Sequence, residues 1–482
     1  MSNICGMNLV SALQQSNTTT ENGMVTNSSS LNNCVDLFFK IGAFRGAEES
    51  DVIRVFSLAF NEDPVSALKI IFWARDIRGG AGERRVFRIA MEHLAKSNKD
   101  AVIRNMSLIP EYGRWDDLLV FFGTDVQSEA ASLINEALNQ NNGLCAKWMP
   151  RKGPIANELR KFMGLTPKDY RKKLVSSTSV VEQDMCLNKW EDINYSQVPS
   201  VAAARYQNAF YRRDLKRYLE YIRLLSMPKE ERPKGVKINA QAVYPYDVLK
   251  SLERGKEEVA IEQWKELPNY MDGSNDRILP VVDVSGSMMS SVSSSSILSC
   301  MDVSVSLGLY ISERNQGPFQ DYFVTFSETP VLQKLSGNLR DRYVQLRSAD
   351  WGMSTNLESV FDLILDQAVK HSISESEMPT KILILSDMEF NQCIEDGEDL
   401  SAIEMIRKKY EKAGYSLPSV IFWNIQSRRG GNNLPVRFDE IGTALISGFS
   451  PSILKSILAG SNISPMDIMN QTINSERYEK IS

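Results

Sequence analysis

Apolar residues follow two different patterns along this chain, and the pattern changes near residue 276. Between about residues 34 and 240, apolar positions recur at helical spacing, as at Val52, Val55, Phe56 and Ala59, which occupy one face of a helix. After the change, short apolar runs alternate with helical patterns, which is typical of a parallel sheet with helices on its faces. The sequence therefore predicts an α-helical region followed by a doubly wound, mostly parallel sheet.

The second region contains several predicted strands, and the most apolar of them are predicted to be central. Residues 382–385 and 420–423 are apolar at every position, as a parallel strand covered on both faces requires. The predicted strands cover residues 278–284, 320–326, 379–386, 418–424 and 442–447. The predicted helices lie near residues 295–312, 355–371, 399–413 and 450–459.

These patterns divide the chain into three predicted segments. Residues 1–33 are predicted to be flexible, because the stretch 12–33 is rich in Ser, Thr and Asn and offers little apolar surface to bury. Residues 34–275 are predicted to form an α-solenoid of short helices, although no fixed repeat period is visible. Residues 276–482 are predicted to form the sheet domain.

The loop after the first predicted strand carries the pattern Asp283-x-Ser285-x-Ser287. An apolar run that ends in this pattern resembles the first strand of a von Willebrand A (vWA) domain, where the carboxylate and the hydroxyls begin a metal-ion-dependent adhesion site. Gly286 is predicted to permit the sharp bend between the two serines. In a doubly wound sheet, ligands bind at the carboxyl ends of the strands where the strand order reverses, so this loop is a candidate binding site.

Two more residues complete the vWA pattern farther along the chain. Thr355 follows the stretch Trp351–Ser354 at the start of a predicted helix, and Asp387 lies directly after the predicted strand 379–386. In vWA domains the serines and the threonine coordinate a divalent ion directly, whereas the aspartates act mainly through water. The resemblance therefore predicts a bound Mg²⁺ or Mn²⁺, and its predicted ligands are Asp283, Ser285, Ser287, Thr355 and Asp387.

The composition argues against several classes of protein. The six cysteines are scattered without a CxxC spacing, which disfavours a disulfide framework or a zinc site and favours a reducing compartment. The two histidines, His93 and His371, lie in helix-like segments, so histidine-based hydrolysis is disfavoured. No apolar run approaches the length of about 18 residues that a membrane helix needs, and no signal-peptide pattern is visible. We therefore expect a cytoplasmic protein that does not enter a membrane.

A magnesium site can also transfer phosphoryl groups, which leaves an enzyme as a further hypothesis. Such chemistry needs a phosphate-binding loop or additional carboxylate ligands. The chain has no P-loop, and Asp283-x-Ser285 lacks the second carboxylate of Asp-x-Asp phosphatases. We therefore expect no enzymatic activity.

Charge is distributed unevenly. Residues 151–250 carry 20 Lys and Arg against 11 Asp and Glu, a net charge of +9, whereas residues 251–482 carry 21 against 32, a net charge of −11. In a predicted helix from Pro199 to about Leu225, several basic residues fall on one face, which could follow a phosphate backbone or could be a salt-bridged outer face. The candidate RNA-binding residues are Arg205, Arg212, Arg213, Lys216, Arg217, Arg223, Lys147, Arg151, Lys152, Arg171, Lys172 and Lys173.

Another group of arginines brackets the glycine turn at residues 79–82. These arginines could bind phosphate, or they could pair with nearby carboxylates and lock adjacent helices together. They are Arg75, Arg78, Arg84 and Arg85, and the candidate acidic partners are Asp76, Glu83, Asp116 and Asp117. The tryptophans of this region are predicted to be core residues rather than base-stacking platforms.

Several motifs together resemble a known family. They are Ala74–Arg84, Gly113–Leu118, Lys147–Pro150, Asn188–Trp190, Val198–Ala202, Trp351–Asn356 and Ser386–Phe390. This layout is similar to the Ro ribonucleoproteins (TROVE-vWA), and more specifically to uncharacterized plant and viral proteins of the same layout. The resemblance implies HEAT-like helical repeats that form a ring closed by a vWA domain, and a surface that binds small structured RNAs or RNA 3′ ends.

Two functions follow from these observations. The first is a non-catalytic, Ro-like RNA-binding scaffold whose metal site also binds an acidic protein partner. The second is a protein-interaction adaptor that uses the magnesium-dependent vWA site to bind a partner Asp or Glu, without RNA.

Overall fold

The computed structural model describes residues 17–20, 24–178, 180–292, 298–326, 329–349, 355–390, 402–426, 434–458 and 464–482. The chain divides into two compact units. We call the first the sheet unit; it comprises Met1–Ile70 and Asn269–Arg477. We call the second the helical unit; it comprises Ile71–Pro268 and Tyr478–Ser482.

The part of the chain before residue 276 is built mainly from helices, which follow one pair of short strands. The strands are β1 (Asn17–Thr19) and β2 (Val25–Asn27). The helices are α1 (Asn33–Lys40), α2 (Glu49–Glu62), α3 (Pro64–Arg75), α4 (Arg84–Ser97), α5 (Lys99–Met106), α6 (Ile109–Tyr112), α7 (Gln127–Asn139), α8 (Gly143–Trp148), α9 (Pro154–Phe162), α10 (Pro167–Ser177), α11 (Val181–Cys186), α12 (Ser200–Arg213), α13 (Leu215–Leu225), α14 (Pro245–Glu253) and α15 (Glu257–Lys265).

Strands and helices alternate after residue 276. The elements in chain order are β3 (Ile278–Val282), α16 (Cys300–Arg314), β4 (Tyr322–Thr325), β5 (Leu332–Lys334), α17 (Leu339–Arg347), α18 (Leu357–His371), β6 (Lys381–Ser386), α19 (Ala402–Lys412), β7 (Ser419–Asn424), β8 (Thr443–Ser447), α20 (Leu454–Ile457) and α21 (Pro465–Ile473).

Among the described residues, strands β3 to β8 form one sheet in the order β5-β4-β3-β6-β7-β8. Strand β3 pairs in parallel with both β4 and β6, and β7 and β8 extend the parallel set. Strand β5 runs antiparallel beside β4 at the edge. The strand order therefore reverses between β3 and β6, as in doubly wound sheets. The predicted helical region followed by a mostly parallel sheet is confirmed.

Helix α16 packs closely on the centre of the sheet. It is buried from Cys300 to Ser312, and a Cβ atom added at Gly308 would lie 2.6 Å from a methyl carbon of Val282 in β3. Only a residue without a side chain fits this approach. The helix thus fixes the strand that leads into the candidate metal loop.

Among the described strands of the six-stranded sheet, the sequence does not predict β5. Strand β5 is three residues long and its exposed positions Leu332 and Lys334 flank a half-buried Gln333. Such a short edge strand has no apolar run or clear alternation, because one of its sides faces solvent. The other predicted strands all coincide with observed strands to within two residues at each end.

The single helix predicted from Pro199 to Leu225 is wrong, because the chain breaks at Asp214. Helix α12 ends at Arg213 and α13 starts at Leu215, with Asp214 in a non-helical conformation. The Asp214 carboxylate accepts hydrogen bonds from the Tyr195 hydroxyl at 2.7 Å and from Arg217 at 2.8 Å. An aspartate bound in this way competes with the helical backbone conformation, and apolar periodicity alone does not reveal such a break.

Residues 17–20 and 24–33 differ from the flexible lead-in predicted for residues 1–33, of which residues 1–16 and 21–23 lie outside the described residues. Strands β1 and β2 pair antiparallel, and Thr26 and Asn27 are buried against the Leu434 carbonyl, to which both side chains donate hydrogen bonds. The segment is polar because its side chains satisfy backbone groups of the sheet unit. A polar segment held in this way has no hydrophobic pattern, so composition alone indicates disorder.

Residues 34–70 belong to the sheet unit, although the sequence analysis grouped them with the helices up to residue 275. The turn after α1 lies against the end of β8, where the Gly42 amide donates to the Ser447 hydroxyl at 2.9 Å. A Cβ atom at Gly42 would lie 2.5 Å from the Gly448 nitrogen. The apolar pattern predicts helices α1 and α2, but it does not indicate which part of the protein they pack against.

No helix in the described ranges is both long and apolar enough to span a membrane.

Candidate functional site

The candidate metal site lies where the strand order of the sheet reverses. Asp283 directly follows β3, and Asp387 directly follows the adjacent parallel strand β6. The Asp283 amide donates a hydrogen bond to the Leu385 carbonyl at 2.9 Å, so the register of β3 and β6 continues into the loop. The fold therefore brings both predicted aspartates to the carboxyl edge of two central strands.

Asp283 is completely buried, and both of its carboxylate oxygens are bound. One oxygen accepts from the Ser285 amide at 2.9 Å and the other from the Ser386 hydroxyl at 2.6 Å. Burial, followed by the charge of Asp387, raises the pKa of Asp283 from 3.8 to about 6. The two hydrogen bonds oppose this change, so the carboxylate is held in place against its own desolvation.

Ser285 and Ser287 present their hydroxyls together. Their Oγ atoms lie 3.0 Å apart, with Ser285 buried and Ser287 half-buried. The backbone turns here into a short 3₁₀ helix, Gly286–Met289. Gly286 is not among the glycines with a positive φ, so the bend does not require its special conformational freedom, contrary to the prediction.

Asp387 is buried at 1% exposure in a tight loop after β6. Its carboxylate accepts a hydrogen bond from the Glu389 amide at 3.3 Å, and the Met388 amide donates to the Ser386 hydroxyl at 3.1 Å. Met388 has a φ of 65°, a left-handed conformation that a non-glycine residue adopts only where its surroundings hold it. The loop is thus fixed by its own side chains.

Ser386 is a site residue that the sequence analysis missed. Its hydroxyl donates to Asp283 and accepts from Met388, so one fully buried serine links the loops of both aspartates. A signal was present, since Ser386 is the polar last residue of an otherwise apolar central strand. A polar side chain at such a position has to find a partner in the loops that end there.

Thr355 lies two residues before α18 and is 5% exposed. Within the described residues, no hydrogen bond joins it to the other four predicted ligands. The preceding residues 351–354, which belong to the same predicted motif, lie outside the described residues. The structure therefore connects Asp283, Ser285, Ser287 and Asp387 through contacts and charge. Metal binding by these four residues and by Thr355 stays a prediction.

The side chains at this edge suit a hard divalent cation. All the atoms that could bind a metal here are oxygens, from two carboxylates and two hydroxyls. Mg²⁺ and Mn²⁺ prefer such oxygen ligands. Two buried carboxylates that repel each other also need a positive charge or a proton nearby. No group of three or more His, Cys, Asp or Glu that could hold a metal occurs in the described part of the chain.

The candidate RNA-binding residues on α12 and α13 separate into two groups. Arg205, Arg212, Arg213 and Lys216 are exposed. Arg217 pairs with Asp214 at 2.8 Å, and Arg223 pairs with Glu220 at 2.7 Å. Arg205, Arg212 and Arg213 lie on α12, whereas Lys216, Arg217 and Arg223 lie on α13. The cationic stripe predicted for one long helix is therefore divided between two helices.

The other candidate basic residues of the helical unit are similarly mixed. Lys147 lies 3.6 Å from Glu182, Lys173 donates to Asn139 at 2.6 Å, and Arg171 donates to the Pro167 carbonyl at 3.1 Å. The remaining residues are exposed. They are Arg151, Lys152 and Lys172.

The arginines near the glycine turn form a network of ion pairs, which settles the alternative left open by the sequence for two of them. Arg75 lies 2.7 Å from Asp117, and both side chains are buried. Arg84 lies 3.9 Å from Asp116, whose pKa is lowered by Arg114 and by Arg88, a residue that the sequence analysis had not included. This network joins α3, α4 and the 3₁₀ segment Trp115–Phe121, which indicates a structural role.

The tryptophans of this region differ in their surroundings. Trp73 is buried at 1% exposure, as predicted for a core residue. Trp148 is only half-buried, and the Arg114 guanidinium lies 3.6 Å from the centre of its ring. That contact covers one ring face with a side chain of the protein.

The fold places this protein in a class that joins a helix-rich region to a doubly wound, mostly parallel sheet. A family model described as "Domain of unknown function (DUF2828)" matches residues 20–142 and 155–275, and one described as "Domain of unknown function (DUF7788)" matches residues 277–481. The DUF2828 model covers half of the chain, so the chain belongs to the DUF2828 family.

The similar proteins include a viral one. An uncharacterized protein of Acanthamoeba polyphaga mimivirus is 31% identical over 510 residues, which cover 93% of this chain and 86% of that protein. The predicted relationship to uncharacterized viral proteins is thus confirmed. Among solved structures, the crystal structure of the Deinococcus radiodurans RO (RSR) protein matches 86% of this chain and 92% of that chain, with 14% identity and a TM-score of 0.43.

Proposed function

We propose that this protein is a non-catalytic binding protein. The loops at the carboxyl ends of β3 and β6 bind Mg²⁺ or Mn²⁺, and the ion in turn binds a carboxylate of a protein partner. The observation that carries the proposal is the convergence of two buried aspartates, Asp283 and Asp387, beside the paired hydroxyls of Ser285 and Ser287.

The electrostatics of the metal-free site favour a cation. Asp283 and Asp387 are 0% and 1% exposed, and the charge of Asp387 is a named cause of the raised pKa of Asp283. A divalent ion bound between the loops replaces this repulsion with attraction to both carboxylates. A bound Mg²⁺ or Mn²⁺ would supply a positive charge that attracts a carboxylate oxygen of the partner.

This chain's own residues then have separate tasks. The Ser285 and Ser287 hydroxyls supply neutral oxygen ligands, and Thr355 is the expected third hydroxyl. Asp283 and Asp387 supply charge and hold water, while Ser386 orients Asp283. When few carboxylates bind the ion directly, it keeps a net positive charge that attracts an anionic side chain.

A metal titration tests this proposal directly. Wild-type protein should bind one Mn²⁺, detected by loss of the free-ion electron paramagnetic resonance signal, and Mg²⁺ should compete. Asp283→Asn should weaken binding by about tenfold or more, since outer-sphere and ligand changes cost at least this much. Asp366→Asn is the control, because Asp366 is an exposed carboxylate on α18. Failure of wild-type protein to bind Mn²⁺ contradicts the proposal.

Partner chemistry needs a second assay. An immobilised glutamate-rich peptide should retain the protein in Mg²⁺ but not in chelator, whereas a matched glutamine-rich peptide should retain it in neither. Loss of the difference in Asp283→Asn is expected. Equal retention by both peptides would show that the ion does not recognise carboxylates.

RNA binding by the helical unit is a second candidate function. It is favoured by Arg205, Arg212, Arg213 and Lys216, which are exposed and make no ion pair with a described acidic residue. Exposed cations of this kind attract a phosphate backbone, and binding then weakens steeply with salt. The pairing of Arg217 and Arg223 with acidic residues leaves these two with a mainly local role.

Filter binding of single-stranded RNA at several salt concentrations tests this candidate. The double variant Arg212→Glu with Lys216→Glu should bind more weakly, and the slope of log K against log salt should fall by about 1 to 2. Lys370→Glu with Lys412→Glu changes the net charge equally at exposed positions of the sheet unit and is the control. Equal loss in both double variants would indicate only a general charge effect.

We also propose a reducing compartment such as the cytoplasm. The described cysteines Cys34, Cys145, Cys186 and Cys300 are free thiols. Burial raises the pKa of the Cys34 and Cys145 thiols to about 12, so these two are unreactive core residues.

A further inference from the structure

The N-terminal segment is attached to the loop that carries Asp387. Thr20 is 4% exposed, and its hydroxyl donates a hydrogen bond of 2.7 Å to the carbonyl of Phe390, 370 residues farther along the chain. The same hydroxyl accepts from the Met24 amide at 2.9 Å. A buried hydroxyl that both donates and accepts has its orientation fixed, so it defines the position of the Phe390 carbonyl.

Phe390 is the last described residue of the loop that carries Asp387. Its ring is fully buried and packs against Phe326 and Phe422, with ring centres 5.8 Å and 6.1 Å apart. Between Ser386 and Phe390 the loop also holds the left-handed Met388. With Ser386 bound to Asp283 at one end and Phe390 bound to Thr20 at the other, Asp387 is held between two anchors.

A second set of hydrogen bonds, which does not involve Phe390, joins the N-terminal segment to the rest of the sheet unit. The Thr26 hydroxyl donates to the Leu434 carbonyl at 3.0 Å, and the backbones of Asn27 and Leu434 exchange hydrogen bonds at 3.1 Å and 2.9 Å. The Phe438 amide donates to the Ser30 carbonyl at 3.1 Å. The segment therefore joins the loop after β6 to the chain between β7 and β8.

We propose that residues 17–20 and 24–30, here called the N-terminal clasp, position Asp387 for the divalent cation, with Thr20 as the positioning residue. This inference rests on the metal site under Proposed function. The clasp acts through the Phe390 carbonyl. The metal affinity of the loops after β3 and β6 thus depends on a segment near the start of the chain.

Loss of one hydroxyl tests the clasp, and a matched variant controls for stability. Thr20→Val removes the bond to Phe390 without changing the side-chain shape. The control is Thr443→Val. The Thr443 hydroxyl donates a hydrogen bond of the same length, 2.7 Å, to the Glu440 carbonyl, and the residue is 1% exposed. Thr443 lies at the start of β8, the end of the strand that faces away from the candidate metal loops. Both variants should lose thermal stability, and Thr20→Val should lose more, because its hydroxyl also accepts the hydrogen bond of the Met24 amide. Thr20→Ser retains a hydroxyl and should restore the behaviour of the wild type.

Two readouts are measured on the full chain. The first is the Mn²⁺ dissociation constant, which should rise about tenfold in Thr20→Val, as is typical for loss of outer-sphere support, and stay within twofold of wild type in Thr443→Val and Thr20→Ser. The second is hydrogen exchange of the Met388 and Glu389 amides without metal, which should accelerate at least about fivefold in Thr20→Val alone, because their local opening becomes easier.

The outcomes separate the clasp from the metal site. Faster exchange together with weaker Mn²⁺ binding in Thr20→Val supports the proposal. Unchanged exchange and unchanged affinity in Thr20→Val, with normal Mn²⁺ binding by wild type, overturn the clasp and leave the metal site standing. Absence of Mn²⁺ binding by wild type overturns the metal site and the positioning role together, even if the exchange of the loop still depends on Thr20.

Discussion

Replacing Asp387 with asparagine is expected to stabilise the metal-free protein while it weakens metal binding. The reason is the buried pair of like charges at the sheet edge. In the metal-free protein the pKa of Asp283 is raised from 3.8 to about 6 by burial and then by Asp387. Because the folded protein holds this proton more tightly than the unfolded chain, stability falls as the pH rises from about 4 to about 6, and the loss is complete above that range.

The magnitude follows from the pKa change. At about 1.36 kcal/mol per pH unit, ionised Asp283 destabilises the fold by about 3 kcal/mol at pH 8. Burial is the larger cause and Asp387 the next. Removing the Asp387 charge should therefore restore about 1 kcal/mol in Asp387→Asn. With the ion at about 100 times its dissociation constant, wild type gains about 2.7 kcal/mol that the variant lacks, so the order of stabilities should reverse.

Urea unfolding at pH 8, in chelator and in Mn²⁺, measures this reversal, with hydrogen exchange of the β6 peptide reporting on the sheet unit. Asp366→Asn is the control and should match wild type within about 0.5 kcal/mol in both conditions, as expected for an exposed position. If Asp387→Asn is the less stable protein in chelator, the reasoning is refuted. In that case Asp387 contributes net attractive contacts and its charge is not a burden in the absence of metal.

Three further predictions test packing and charges elsewhere in the sheet unit and in the helical unit. Burial raises the pKa of Glu440 to about 7, so Glu440→Gln should stabilise the protein by about 2 kcal/mol at pH 8 and have little effect near pH 4, below both pKa values; urea unfolding at the two pH values measures this. Gly308→Ala should lower the free energy of unfolding by about 1–3 kcal/mol through overpacking. Because the added Cβ would lie 2.6 Å from Val282, a second substitution, Val282→Ala, should recover part of this loss. Additive losses of stability in thermal unfolding would contradict the contact. Asp117→Asn should cost about 3–5 kcal/mol, since it leaves the buried Arg75 without its charged partner, and a loss below about 1 kcal/mol in chemical unfolding would show that the pair is dispensable.

The apolar pattern was sufficient to predict the central strands and several helices. Strands β6 and β7 are buried on both faces, so every position of 382–385 and 420–423 is apolar and the signal is strong. Strand β5 and the break at Asp214 carry no such signal, because an exposed three-residue edge and a single bound aspartate leave hydrophobic periodicity unchanged. The N-terminal clasp was missed for the related reason that polar side chains can order a segment through hydrogen bonds.

The candidate metal residues could be named from the sequence, but their supports could not. The Asp-x-Ser-x-Ser pattern and Asp387 follow predicted strands, and parallel pairing brings such residues to one edge. Ser386 and Thr20 act through contacts across 103 and 370 residues, which no local pattern encodes. Gly286 was assigned a role from residue type alone, and the observed backbone does not require it.

The arrangement of supports has a consequence for how the site would work. Asp283 and Asp387 are each held by hydrogen bonds from their own loop and by one contact from a distant segment, Ser386 for the first and Thr20 through Phe390 for the second. In the metal-free protein these contacts hold two carboxylates in positions that their repulsion disfavours. A site that is already assembled loses little conformational entropy when the ion binds, so more of the attraction appears as affinity. The destabilisation expected for the metal-free protein and the tight binding expected for the ion are therefore two consequences of the same geometry. A variant that stabilises the metal-free protein by removing this repulsion should also bind the ion more weakly.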